Sequence, residues 1–100
     1  MLPSRSRTEA AGLPEPLEPR RKRALFRAWH RGTREMDLVM GRFADREIGT
    51  LSDAELEAFE HLLDLPEADV FEWVTGRAPV PDGIDEHLII RLGTYRGGPA

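Results

Sequence analysis

One hundred residues without a cysteine, with three histidines and a net charge of −4, make one small domain at most. Lack of cysteine excludes disulfides, cysteine nucleophiles and thiolate metal sites, and no apolar run approaches the ~20 residues that cross a bilayer. Charge is unevenly placed: through Arg34 nine basic residues face three acidic ones, giving +6, whereas from Glu35 onward five basic face fifteen acidic, giving −10. A basic head on an acidic body steers association and selects the sign of a partner's surface.

Residues 1–19 carry Pro3, Pro14, Pro16 and Pro19 among serine, glycine and scattered charge, without sustained apolar periodicity. The composition predicts a disordered tail. Arginines and serines there resemble a transit peptide, but Glu9, Glu15, Glu18 and the prolines oppose a basic amphipathic helix. Thirteen of the fourteen basic residues are arginine, which points to a GC-rich genome; with no secretory apolar segment in the sequence, a bacterial cytoplasmic protein is the default expectation.

Five helices are predicted in the rest. The first spans about Arg20 to Arg31, with Leu25, Ala28 and Trp29 on one side, Phe26 beside them, and Gly32 closing it. A second runs from Thr33 or Arg34 to about Glu47, with Met36, Val39, Met40 and Phe43 as its apolar stripe. Gly41 inside it costs about 1 kcal/mol relative to alanine, so close packing or a bend is expected there.

Ser52 and Glu55 predict a capping box for the third helix, with Leu51 and Leu56 as hydrophobic staple and Leu56, Phe59, Leu62 and Leu63 as its buried face. Pro66 forces Leu65 out of helical geometry and is expected to begin the fourth helix. Val70, Trp73 and Val74 form that helix's stripe, one of Phe71 and Trp73 is expected to pack inward with the other partly exposed, and Gly76 ends it. Arg77 to Gly83 reads as a loop, and a fifth helix from about Ile84 to Tyr95 aligns Ile84, Leu88 and Leu92 with Ile89 adjoining. Residues 97–100 fray. The expected fold is all-α, a compact five-helix bundle over residues 20–96 behind a disordered N-terminal tail.

A bundle of this size buries only about 60–65% of its unfolded surface, too little core to line a large active-site cavity. His30, His61 and His87 lie on separate helices without paired ligand spacing, so no metal site is expected. Carboxylates from Glu55 to Glu72 read as a solvated face, and no nucleophile motif or phosphate-cradling glycine loop is present. The stretch from Arg20 to Arg31 interleaves basic and aromatic residues and offers an alternative function, nucleic-acid binding through the first helix. Against it stand the acidic remainder of the domain and the shared helical face of Leu25, Phe26 and Trp29, which suggests core packing.

Arg31, Gly32 and Glu35 are explained locally by a helix junction, with a cation in the last turn of one helix and an anion in the first turn of the next. They also form an RGxxE sequence, Arg31-Gly32-Thr33-Arg34-Glu35, followed by Met36 and Asp37. In this motif, and in the order of signals through Leu51 to Gly76, the chain resembles the small assembly factors that promote covalent FAD attachment to the flavoprotein subunit of succinate dehydrogenase. The resemblance covers about Arg20 to Leu92. His30 stands where many members have a second arginine, and Thr33 where many have methionine.

The resemblance implies a five-helix bundle and a non-enzymatic helper. The flavoprotein largely performs the linkage of its own histidine to the isoalloxazine 8α-methyl carbon, while the factor holds it in a competent conformation. Fumarate reductase flavoprotein is an additional expected client. No stably bound cofactor, no nucleic acid and no membrane insertion are implied. The expected partner-binding residues are Arg31, Gly32 and Glu35, with Arg34, Asp37 and His30 beside them; Arg31 is expected to project as a two-donor fork toward a carboxylate, and Glu35 to accept from a partner's arginine or amide.

Overall fold

A computed structural model describes residues 17–96, and the expectations for residues 1–16 and 97–100 lie outside them. The described residues form five helices: α1 (Pro19–Ala28), α2 (Arg34–Glu47), α3 (Asp53–Leu63), α4 (Glu67–Val74) and α5 (Glu86–Gly93). No strand occurs among them. α1 packs on α2 and α3, while α5 closes the other side against α2, α3 and α4.

Capping chemistry sets most of the helix starts. Thr33 accepts from the Met36 N–H and starts α2. Ser52 and Glu55 complete the expected capping box of α3. Asp85 accepts from the Leu88 N–H, so α5 begins at Glu86 and not at Ile84, although Ile84 still packs against the core. Pro66, with extended ψ of 129°, is the N-cap of α4 and not its first helical residue. At the other end, Leu17 is half-buried against the core and α1 begins at Pro19, so the folded part starts earlier than the expected residue 20.

The core follows the predicted stripes: Met36, Val39, Met40 and Phe43 from α2 meet Leu56, Phe59, Leu62 and Leu63 from α3, with Leu88, Ile89 and Leu92 from α5. Phe43 lies 5.2 Å from Phe59 and 5.7 Å edge-on from Tyr95, ring centre to ring centre. Val70 and Val74 are buried in α4, whereas Phe71 and Trp73 are both half-buried, so neither takes the fully inward place expected of one of them. Phe26 departs most: it is 63% exposed, outside the core face on which periodicity placed it.

α1 stops at Ala28, three residues short of the expected Arg31. The Trp29 N–H is shared between the Leu25 and Phe26 carbonyls and the His30 N–H turns to Arg27, a tightened last turn. Trp29 leaves the helix to lie on Gly41, where an added Cβ would come within 2.2 Å of the indole. Its Nε1–H donates to Asp45 at 3.0 Å. The glycine that local propensity disfavours is therefore the seat of the tryptophan at which the chain leaves α1.

Candidate functional site

His30, Arg31 and Gly32 lie in the turn between α1 and α2, and Arg34, Glu35 and Asp37 lie at the start of α2, so the six expected site residues are neighbours; the structure sorts them into two kinds. Gly32 lies four residues beyond the end of α1, so it does not close that helix, but its φ of 126° is one that L side chains rarely adopt. A Cβ there would stand 3.2 Å from the Glu67 carboxylate at the start of α4, a neighbour that sequence reasoning missed. Asp37, on the first turns of α2, turns back: its Oδ1 accepts from the Arg31 N–H at 2.6 Å and the Gly32 N–H at 3.2 Å. Asp37 thus pins the turn from inside, an anion held at a helix N-terminus.

Arg31 corrects the expectation of a projecting fork. Its guanidinium crosses to the end of α3, where Nη1 donates to the Leu63 carbonyl at 2.5 Å and Nη2 to the Leu65 carbonyl at 3.0 Å. Nε is buried without a partner. Burial pulls this guanidinium below the ordinary arginine range, opposed by Glu67, while nearby Arg27 adds to the lowering and Asp37 and Asp64 oppose it. Arg31 satisfies orphan carbonyls of another helix, a cation at the negative end of its dipole.

Arginines of α1 also reach across to other elements. Arg27 donates to the Leu63 carbonyl at 3.0 Å and to Asp64 at 2.7 Å. Arg21, only 9% exposed, donates to the Ile48 carbonyl at 2.7 Å beyond the end of α2. Arg20 grips Glu60 through Nε and Nη2. These partners lie 27 to 40 residues away in sequence, so no local pattern could announce them. The only signal available was a helix with many arginines and few acids of its own.

Glu35 and Arg34 are the outward kind. Both are exposed in the first turn of α2, and among the described residues neither has a hydrogen-bonded or ion-paired partner of its own. Glu35 edges an opening of 280 Å³ bounded by Thr33, Met36, Glu67, Ala68 and Phe71. His30 is exposed and stacks on Phe26 at 3.9 Å between ring centres. Its Nδ1 lies 2.6 Å from the Phe26 carbonyl, which can only accept, so Nδ1 carries the proton. Geometry therefore leaves an outward carboxylate and an outward arginine at the start of α2, just beyond a turn fixed from beneath, and an exposed aromatic pair at the end of α1. It offers no nucleophile with its base, and among the described residues no cluster of three His, Asp or Glu suited to a metal occurs. What the arrangement can do is present charge in a fixed position to another macromolecule.

Residues 22–96 match the family described as the flavinator of succinate dehydrogenase. The FAD assembly factor SdhE of Acetobacter pasteurianus is 38% identical over 78 residues, 77% of this chain and 72% of that protein. A mitochondrial succinate dehydrogenase assembly factor 2 of Mycosarcoma maydis is 43% identical over 67 residues, 67% of this chain but 28% of the fungal one. That of Meyerozyma guilliermondii is 32% identical over 81 residues, 78% of this chain and 60% of its own length. No solved structure matches. With three quarters of its length matched to one family and a bacterial relative covered over most of its own, the chain belongs to the flavinator of succinate dehydrogenase family.

Proposed function

We propose that this protein binds the immature flavoprotein subunit of succinate dehydrogenase and promotes covalent attachment of FAD to it, acting as a helper and not as the catalyst. One observation carries the reading: Glu35 is a carboxylate with no partner of its own among the described residues, set on a turn that Arg31, Gly32 and Asp37 immobilise. A preset charge spends little ordering entropy on binding, so it discriminates well between conformations of a client. A factor that prefers the reactive conformation raises its population by its differential affinity, and the client's own groups then form the bond to flavin. The protein holds no FAD stably in this reading, works in the bacterial cytoplasm, and takes fumarate reductase flavoprotein as a further client. The partner-facing residues are Glu35, Arg34 and His30; Arg31, Gly32 and Asp37 position them.

Engagement of Arg20, Arg21, Arg27 and Arg31 within the bundle favours this over nucleic-acid binding, because it leaves fewer guanidinium groups for phosphates. Deleting the gene should lower covalent flavin on the succinate dehydrogenase flavoprotein, read as in-gel fluorescence after denaturation, without lowering the amount of that subunit. Normal flavin attachment in the deletion strain, with a salt-sensitive shift of a DNA or RNA probe by the purified protein, would overturn the reading.

A further inference from the structure

Glu35 and Phe71 border two openings at once. The smaller lies toward Thr33, Glu67 and Ala68, and the larger, 620 Å³, runs the other way past Val39 and Gly93 to Arg77 and Arg96. Phe71 is therefore a half-buried ridge between two adjoining hollows, with buried Val39 beneath the larger one. Charge is sorted along this line. Glu67 lines only the smaller hollow, Arg77 and Arg96 line only the larger, and Glu35 stands with Phe71 at the border of both. Arg77 has only a loose contact with Glu72, 3.7 Å between exposed side chains, and Arg96 is exposed. A surface with an acidic end, an aromatic middle and a basic end is directional: it fits a segment of the opposite polarity in one orientation and repels the reverse.

We infer that this line, from Glu67 and Glu35 over Phe71 to Arg77 and Arg96, is a docking groove for one segment of the client flavoprotein that carries a basic side chain, then an apolar one, then an acidic one. The inference rests on the proposed function and extends it from the turn before α2 to α4 and both sides of α5. The apolar side chain packs on Phe71, the cation meets Glu35 and Glu67, and the anion meets the two guanidinium groups. The apolar contact contributes most of the affinity, since anchors in desolvated hollows dominate interfaces; the end charges set direction and association rate.

The full chain and purified apo-flavoprotein, titrated calorimetrically, test this. Arg77→Glu with Arg96→Glu, both at exposed positions, should weaken binding at least tenfold with unchanged helical circular dichroism. Lys22→Glu with Arg23→Glu makes the same change in net charge on α1, outside both hollows, and should weaken it less than threefold. Benzoylphenylalanine in place of Phe71 should cross-link to one flavoprotein segment with the basic, apolar, acidic order. Equal weakening by the two double variants would overturn the groove, leaving only a response to net charge. So would a cross-link to a second copy of this chain, or to a segment lacking that order. If the Arg77 and Arg96 variant binds normally while Glu35→Ala has lost binding, the groove is wrong and the proposed function stands. If the unaltered protein does not bind the flavoprotein, the proposed function fails and takes the groove with it.

Discussion

Arg31 and Glu35 sit four residues apart in one motif and have opposite fates. Arg31 turns inward, and its guanidinium ties the turn to carbonyls at the end of α3. Glu35 turns outward without a partner among the described residues. Physical chemistry separates their purposes: removing a buried donor leaves acceptors unsatisfied, whereas removing an exposed carboxylate leaves the fold almost untouched. A motif that reads as a pair of recognition residues thus holds a foundation and, in the proposed function, a contact. The same division runs through the basic head, where among the described arginines Arg20, Arg21, Arg27 and Arg31 bind the bundle to itself.

The largest test of this division lies under the foundation. Gly41→Val drives a side chain into the Trp29 indole and should cost about 2–3 kcal/mol in thermal or denaturant unfolding. If Trp29 is what bends the chain, this variant should also reduce client binding from a distance. A normal melt for Gly41→Val would show that Trp29 relocates freely and does not hold the turn. Arg31→Met comes next, with an expected loss of about 1–2 kcal/mol as the Leu65 carbonyl is left without its donor. Arg31→Lys should restore only part of it, because one ammonium cannot span two carbonyls as the planar fork does.

Asp37 sharpens the comparison further. Asp37→Ala frees two backbone N–H groups and should cost about 1 kcal/mol, comparable to a lost helix cap. Asp37→Asn keeps an acceptor and should recover most of the stability and, with it, client binding. Were Asp37→Asn to melt like the parent yet fail to bind, Asp37 would belong with Glu35 as a contact.

Acid and alkali probe the ties that hold the bundle around the site. The bond from Arg20 holds the Glu60 carboxyl below its ordinary value of 4.5, and the Ser52 backbone bond does the same for Glu55, with Arg91 adding to it. Both contribute stability that is present above pH 4.5 and is lost as pH falls through their lowered values. Tyr95 works with the opposite sign: burial first, then its bond to Glu47, pushes its hydroxyl from 10.0 to about 12. Its contribution is complete below pH 10 and fades as pH rises toward 12. Melts across pH should therefore be flat near neutrality and fall at both ends, and Tyr95→Phe should flatten the alkaline side.

Much of this was legible in the sequence, and the larger failures share one cause, a partner distant in sequence. α2 and α3 were readable because stripes and a capping box are local, as is the exposed Glu35 at a helix start. The end of α1 was not, because tertiary packing of Trp29 on Gly41 overrides the helical pattern; Gly41 signalled close packing but not its partner. Phe26 was placed inward by periodicity, yet it lies outside and stacks on His30. Arg31 was misjudged because its acceptors are backbone carbonyls 32 and 34 residues away, which have no residue-type signature at all. Thr33 and Asp85 were missed local signals, each three residues before the N–H it caps, that of Met36 and that of Leu88.

The central claim, that Glu35 is a contact and Arg31 its support, is tested most directly by Glu35→Ala measured twice on one preparation. The melt should lie within a few tenths of a kcal/mol of the parent, the size of a lost helix-dipole contact. Affinity for the apo-flavoprotein should fall at least tenfold, about 1.4 kcal/mol or more, and covalent flavin attachment should fall with it. Unchanged affinity in the Glu35→Ala protein would contradict the account.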